Sequence, residues 1–331
     1  MVLAGDIGGT KALFGVFRPS HERPQPVVTR EYVTIDFDSL EDLVNAFVSD
    51  TGTTALDAIV LGVAGPVNGL MARMTNVPWI ADASPLVGRF GDGPVELLND
   101  LEALAHAVPV LEPDELAVLQ SGVALPGGNA ALIAAGTGLG EALLDNVNGR
   151  FVASPSEGGH ADFAARTPRE FALVQDLIRV HGRVDNECVI SGHGLVSVFQ
   201  FTHGAVDLAR ACRVVPGAAH PTELPALISA SALARKCEQC VEALDMFVDA
   251  YGAEAGNLAL RTMATAGVYI GGGIAPKILP ALETGVFMDS FRAKEPLVDL
   301  LRTLPVSVIL NPAAGLLGAA VRAVAIASCG H

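Results

Sequence analysis

The stretch GDIGGT at residues 5–10 lies between two apolar runs, Val2-Leu3-Ala4 before it and KALFGVF at residues 11–17 after it. Both runs have the length and composition of strands, so Gly8-Gly9-Thr10 reads as a tight turn between paired strands. Glycine removes the Cβ that would shield the backbone, and the N–H groups of such a turn can converge on an anion such as a phosphate. Gly5, Asp6 and Ile7 lead the chain into this turn. Asp6 stands two residues before Gly8, close enough to hold Mg²⁺ through water, since Mg²⁺ keeps several waters and uses one or two carboxylates plus phosphates.

The pattern recurs. Ala130 to Ala135 is strand-like, Gly136-Thr137-Gly138-Leu139-Gly140 follows, and Ala142-Leu143-Leu144 resumes a strand. Later, Val268 to Ile270 runs into Gly271-Gly272-Gly273. None of the three turns matches G-x-x-x-x-G-K-[ST] or completes G-x-G-x-x-G, so neither a P-loop nor a dinucleotide fingerprint is present.

Between the turns, strands interleave with helices. Ser39 to Asp50 reads as a helix with a Ser39/Asp42 capping pattern and an apolar face of Leu40, Leu43, Val44 and Phe47. Ala58 to Val63 and Val95 to Leu98 read as strands. Thr167, Pro168 and Glu170 open another helix, which Gly182 ends. Residues 226–265 are mostly helical in pattern; Val306 to Leu310 is a strand, and Leu316 to Ala327 an apolar helix expected to pack back on the first domain. This alternation predicts an α/β protein. We expect a small domain of residues 1–110 plus 303–331 and a large domain of residues 111–302.

Thirty-six acidic against 21 basic residues give a net charge of −15, which opposes contact with nucleic acid or anionic lipid. Residues 116–140 carry no charge, yet Gln120, Gly122, Pro126, Gly127, Gly128 and Asn129 interrupt them, so no membrane span is expected. No basic, cleavable apolar leader precedes Gly5, and the five cysteines form a sparse, odd set, so a reducing cytoplasmic location is expected. Cys237 and Cys240 form a single pair with no second pair or histidine near them in the sequence, and read as structural.

Two polar clusters stand out. LLND at residues 97–100 ends an apolar strand in Asn99 and Asp100; SPSEGGHADFA at residues 154–164 brings Glu157 and His160 together on a glycine loop. From the residues alone, Asn99-Asp100 reads either as a ligand-facing strand end or as the cap of a helix starting near Leu101. Glu187 reads likewise as a site carboxylate or a helix-start carboxylate.

Taken together, GDIGGT, AAGTGLGEALL at residues 134–144 and IGGGIAPKIL at residues 270–279 resemble the two phosphate loops and the adenosine loop of the actin-like ATPase superfamily. MTNVPW (74–79), LLND, SEGGHADFA (156–164), ECVISGHGL (187–195) and NPAAGLLG (311–318) are similar, over nearly the whole chain, to the bacterial glucokinase family. The likeness is to the branch lacking the zinc-binding cysteine cluster of the family's repressor and sugar-kinase relatives. No such cluster follows His160.

The resemblance implies a two-domain actin-like (ribonuclease H-like) fold with an interdomain cleft, and phosphorylation of glucose at its 6-hydroxyl by ATP with Mg²⁺. It implies Asp100 as catalytic base, with Asn99, Asp100, Glu157, His160 and Glu187 binding the sugar and Asn76 a weaker candidate. Gly5, Asp6, Ile7, Gly8, Gly9, Thr10, Gly136, Thr137, Gly138, Gly271 and Gly272 would bind ATP, and Asp6 the metal. Lys11 departs from the asparagine common in this branch and is expected to add one positive charge near ATP. A homodimer is compatible with the resemblance. The alternatives are a kinase for mannose, glucosamine or N-acetylmannosamine, or a non-kinase ATPase of the same superfamily. A sugar-responsive repressor would need a DNA-binding segment ahead of GDIGGT.

Overall fold

A computed structural model describes residues 1–20, 22–74, 77–204, 212, 215, 220 and 222–329. The chain divides into two compact units. Unit 1 comprises Met1–Glu115, Phe151–Ala153 and Asn311–His331; unit 2 comprises Leu116–Arg150 and Ser154–Leu310.

Unit 1 is built on strands β1 (Val2–Ile7), β2 (Lys11–Arg18), β3 (Gln25–Val33), β4 (Ala58–Val63) and β8 (Val95–Asn99), with a small antiparallel sheet of β5 (Val67–Asn68), β6 (Met71–Arg73) and β7 (Ile80–Asp82). The main sheet runs in the order β3-β2-β1-β4-β8. The expected glycine turn joins β1 to β2 in antiparallel register, with Ile7 opposite Ala12. β1, β4 and β8 are parallel.

Helix α1 (Leu40–Thr51) starts where Ser39 Oγ accepts the Asp42 N–H at 3.0 Å and stops at Gly52, whose φ of 66° a side chain would disfavour. It lays Leu43, Val44 and Phe47 in one core with Leu3, Ile7 and Phe14. The opposite face of the sheet, with Val2, Ala4, Val60 and Leu98, packs on Ala103 of α2 (Asp100–Ala107) and on Leu316, Ala319, Ala320 and Ala323 of the C-terminal helix, Ala314–Cys329. Alanine and glycine dominate this contact for a reason: a Cβ at Gly318 would stand 1.8 Å from the Ala103 carbonyl oxygen.

Unit 2 contains β9 (Leu116–Gln120), β10 (Ala130–Ala135), β11 (Leu139–Val147), β12 (Arg150–Ser156), β13 (Gly267–Gly271) and β14 (Val306–Ile309), in the sheet order β12-β11-β10-β13-β14-β9. β10 and β11 repeat the antiparallel strand, glycine turn, strand of unit 1, and β10, β13 and β14 are parallel. Residues 303–310, expected with the small domain, lie in unit 2 because β14 pairs with β13 on one side and β9 on the other.

The principal helices of unit 2 are α3 (Pro168–His181), α4 (Gly192–His203), α5 (Leu224–Leu233) and α6 (Glu238–Thr262). α3 opens with a full Thr167/Glu170 capping box and closes at Gly182, as read from sequence. The buried Tyr251 of α6 ties the sheet together: its hydroxyl accepts the Ala135 N–H at 3.2 Å and lies within 3.5 Å of the carbonyls of Ile133 and Gly271. Among the described residues no helix is long and apolar enough to cross a membrane, and the uncharged stretch 116–140 contains β9 and β10.

Candidate active site

Strand periodicity aims Asp6. Along β1, Val2 and Ala4 face the C-terminal helix while Leu3 and Ile7 face α1, so Asp6 continues the first set. At that helix's first turn only glycine fits, because a Cβ at Gly315 would stand 2.6 Å from Asp6 Oδ2. Parallel register then levels the strand ends: Ile7 pairs with Val63, and Val63 with Asn99. The glycine turn after Ile7 and the start of α2 at Asp100 therefore emerge at one edge, the carboxyl end of the parallel strands, where ligands of open α/β sheets bind.

Asn99 does cap α2. Its Oδ1 accepts the Leu101 N–H at 2.9 Å, and its amide donates to the Gly65 carbonyl at 3.1 Å. Asp100 Oδ1 also accepts from the Leu101 N–H, at 2.9 Å, leaving Oδ2 uncommitted by any of these bonds. Asp100 is solvent-accessible, but the protein around it desolvates its carboxylate and raises its pKa. Asp6 is pushed up to about 6, by burial first and then by the negative charge of Asp100. The two acids thus feel one another across the strand ends.

The glycine turn between β1 and β2 is held from the residue that follows β3. Thr34, fully buried just after that strand, donates its hydroxyl to the Gly8 carbonyl at 2.8 Å and its N–H to the Thr10 carbonyl at 3.0 Å. Gly8 N–H closes the turn on the Lys11 carbonyl at 2.8 Å. Lys11 Nζ pairs with Glu31 Oε1 at 2.8 Å in an exposed ion pair.

In unit 2 the second turn, Gly136-Thr137-Gly138, joins β10 to β11 and is closed by the Gly136 N–H on the Gly138 carbonyl at 2.8 Å. Glu187 Oε2 accepts the Leu139 N–H at 2.8 Å and lies 2.5 Å from where a Gly138 Cβ would be. Glu187 N–H in turn donates to the Gly159 carbonyl at 2.9 Å. Gly159 is packed so closely on β11 that a Cβ would come 2.1 Å from the Leu139 oxygen. That contact draws the loop carrying Glu157 and His160 up to Glu187. Glu157 and His160 are exposed, and both Glu157 and Glu187 help to raise the His160 pKa.

The main cause of that rise is Asp185, whose Oδ2 lies 3.1 Å from His160 Nδ1 and whose own pKa is held down. Sequence reading missed Asp185, although it stands two residues before Glu187 in DNECVISGHG. It also missed Thr34, Tyr251 and Gly315, which act only through tertiary contact. The third turn lies beside the second: a Cβ at Gly272, whose φ is 83°, would meet the Ala135 carbonyl oxygen at 2.3 Å. The structure therefore brings Asp6, Gly8 to Thr10, Asn99 and Asp100 together in unit 1, and Gly136 to Gly138, Gly271, Gly272, Glu157, His160 and Glu187 in unit 2. Asn76 lies outside the described residues.

One expectation needs correcting. Cys237 and Cys240 are not without histidine or cysteine company: folding brings His203 and Cys212 to them, with all four ligand atoms within 4.8 Å of one another.

Comparison with known proteins places these residues in context. The family model described as Glucokinase matches residues 3–326. The chain is 36% identical over 333 residues to a glucokinase of Nostoc punctiforme, covering 97% of this chain and 98% of that one. A solved glucokinase from an Antarctic psychrotroph superposes with a TM-score of 0.84 at 29% identity, over 97% of this chain and 98% of that one. A ROK family glucokinase from Streptomyces griseus, solved in complex with glucose and AMPPNP, shares the fold with a TM-score of 0.62 at 23% identity, over 97% and 98% of the two chains.

Proposed function

The chain belongs to the glucokinase family, a hexokinase-type ATP:sugar phosphotransferase of the two-domain actin-like fold, and from that premise we propose which residues carry phosphoryl transfer from ATP to the 6-hydroxyl of glucose. The observation that carries the reading is the level register of Ile7, Val63 and Asn99, which delivers Asp6 and Asp100 to one edge of unit 1 beside a main-chain phosphate turn.

Asp100 is the general base. A primary alcohol attacks phosphorus poorly unless it is aligned and its proton has an acceptor. Oδ2 is the oxygen left to take that proton, and desolvation raises its basicity above that of an ordinary carboxylate. The Asn99 cap fixes the start of α2 and hence the position of Asp100, while its remaining lone pair and N–H serve a sugar hydroxyl.

Glu157, His160 and Glu187 are the further residues read as holding sugar hydroxyls. With Nδ1 turned to Asp185, His160 presents Nε2; with Oε2 on the Leu139 N–H, Glu187 presents Oε1. The turn N–H groups at Gly8 to Thr10 and Gly136 to Gly138 hold the nucleotide phosphates, and the Gly271-Gly272 turn the adenosine. Mg²⁺, when bound, neutralises charge on the β- and γ-phosphates. Asp6 suits it: burial and Asp100 raise this carboxyl to about 6, and a divalent cation relieves that unfavourable negative charge.

The reading also includes a cytoplasmic location, drawn from the sparse, odd set of cysteines, and a homodimer, which light scattering would test. A coupled assay of sugar phosphate formation from ATP tests the function, run over glucose, mannose, glucosamine and N-acetylmannosamine and over ATP, ADP and polyphosphate. Glucose with ATP should give the highest kcat/KM, and excess chelator should stop the reaction. A higher value for another hexose would reassign the substrate, and no turnover with any of them would overturn the reading.

A further inference from the structure

The C-terminus of α4, the N-terminus of α6 and Cys212 in the segment between α4 and α5 converge on a point in unit 2 that phosphoryl transfer does not use. His203 is the last residue of α4, followed by Gly204 with φ of 60°. Cys237 is the N-cap of α6, and Cys240 lies in its first turn, buried. We propose that His203, Cys212, Cys237 and Cys240 form a structural Cys₃His zinc site.

The spacing of the donor atoms suits a four-coordinate centre. Zinc with bonds of about 2.3 Å to sulfur and about 2.0–2.1 Å to nitrogen sets two sulfurs about 3.8 Å apart and a sulfur and nitrogen about 3.6 Å apart. Here Cys212 Sγ and Cys240 Sγ are 4.0 Å apart, and Cys237 Sγ and His203 Nε2 are 3.4 Å apart. All four donor atoms lie within 4.8 Å of one another. Three soft sulfurs and one imidazole suit Zn²⁺ and exclude the oxygen-seeking Mg²⁺ and Ca²⁺.

The surroundings fit a ligand set as well. His203 Nδ1 lies 2.8 Å from the Phe199 carbonyl, one turn back on α4, which places the ring proton on Nδ1 and leaves the Nε2 lone pair facing the sulfurs. The ring is steadied against Phe199, with centroids 4.1 Å apart. Thr202 Oγ1 donates to the Gln239 carbonyl at 3.0 Å, tying the end of α4 to the start of α6 directly. Ser231 of α5, 4% exposed, has a hydroxyl with no oxygen or nitrogen partner among the described residues and stands beside Cys240, where a thiolate would accept its proton. The first-turn N–H groups of α6 favour negative charge at Cys237 and Cys240.

Binding exchanges three thiol protons for one Zn²⁺, leaving the Cys₃His centre with a net charge of −1 and releasing the protons to solvent. The site does not include His160, so it is a different site from the cluster that sets the zinc-bearing relatives apart. Its effect is to clamp the far end of α4, whose first residue, Gly192, donates its N–H to the Gly136 carbonyl of the second phosphate turn at 2.8 Å.

The test uses the full chain, purified under reducing conditions, with metal content measured by mass spectrometry and Co²⁺ exchanged for Zn²⁺. One zinc per chain is expected, with thiolate-to-cobalt charge-transfer bands and the intense visible bands of a tetrahedral centre. Stripping the metal with a strong chelator should lower Tm by roughly 5 °C or more, with zinc restoring it. Cys237→Ser and His203→Gln should lose or weaken the metal and alter the cobalt spectrum, whereas Cys188→Ser should keep both. Because Cys240→Ser could fail to fold, Cys240 is read in the unmodified protein instead, by its alkylation rate with and without zinc. A fully reduced chain with neither retained zinc nor a tetrahedral cobalt spectrum would overturn the proposal, as would a Cys237–Cys240 or Cys212–Cys240 disulfide in its place. These readouts do not depend on kinase turnover, so failure here is separable from failure of the functional reading.

Discussion

Glu187 accepts the Leu139 N–H at 2.8 Å, so the carboxylate proposed to hold a sugar hydroxyl also closes the second phosphate turn. On the proposed roles, one side chain would link sugar recognition to the geometry of the nucleotide loop. Glu187→Ala should raise KM for glucose by about 10–100-fold, the cost of about 1–3 kcal/mol for a lost half-buried acceptor, and raise KM for ATP as well. Gly138→Ala should act in the same direction, since its methyl would displace that carboxylate from 2.5 Å. Steady-state kinetics in both substrates decides it; a change in glucose KM alone would uncouple the two roles.

Gly315→Ala probes Asp6. An alanine in a helix ordinarily adds about 0.5–1 kcal/mol of stability over glycine. Here its Cβ would sit 2.6 Å from Asp6 Oδ2, between a strand end and a helix start that cannot easily yield. The expected outcome is a fall in kcat and a higher Mg²⁺ requirement. Kinetics against Mg²⁺ concentration, alongside the melting temperature, separates displacement of Asp6 from general unfolding.

The His160–Asp185 pair sets a pH window. Asp185 raises the His160 pKa, so the imidazolium persists to higher pH than in an ordinary histidine. The pair's stabilisation is full below the unfolded histidine pKa and is lost as pH rises through the raised folded value; at the acid end it is lost as pH falls through the depressed pKa of Asp185. Asp185→Asn should move the His160 titration to lower pH, as read by NMR, and should shift the pH dependence of glucose KM with it.

Glu141 behaves oppositely. Burial, then Glu254, lifts its carboxyl from 4.5 to about 8 against the weaker pull of Arg261. One of its oxygens, Oε1, is buried with no hydrogen-bond partner among the described residues. A raised acid takes up a proton on folding, so its contribution falls as pH climbs from about 4.5 to about 8 and is flat beyond. Glu141→Gln mimics the protonated form and should raise Tm most at pH 8–9, removing that slope. A variant less stable than the parent at alkaline pH would contradict the assignment.

What the sequence revealed was what lies close along the chain. The Ser39 and Thr167 caps, the β1 turn and the β10 turn are set by residues within a few positions of one another, and each formed as read. Asn99-Asp100 left two readings open, and the structure shows the cap formed by Asn99, with Asp100 at the same strand end accepting the Leu101 N–H through Oδ1. The illegible features are convergences. Gly315 meets Asp6, and His203 meets Cys237, across separations that no local pattern encodes. β14 joined unit 2 because strand partners, not position near the C-terminus, decide membership of a sheet.

The most direct test of the catalytic account is the turnover of Asp100→Asn with glucose and ATP, measured alongside glucose binding by calorimetry. The substitution keeps the side chain's size and an oxygen for the Leu101 N–H while removing the base. The account predicts a fall in kcat of about 10²–10⁴-fold with glucose affinity largely retained. Near-normal turnover in a variant that still binds glucose would contradict it.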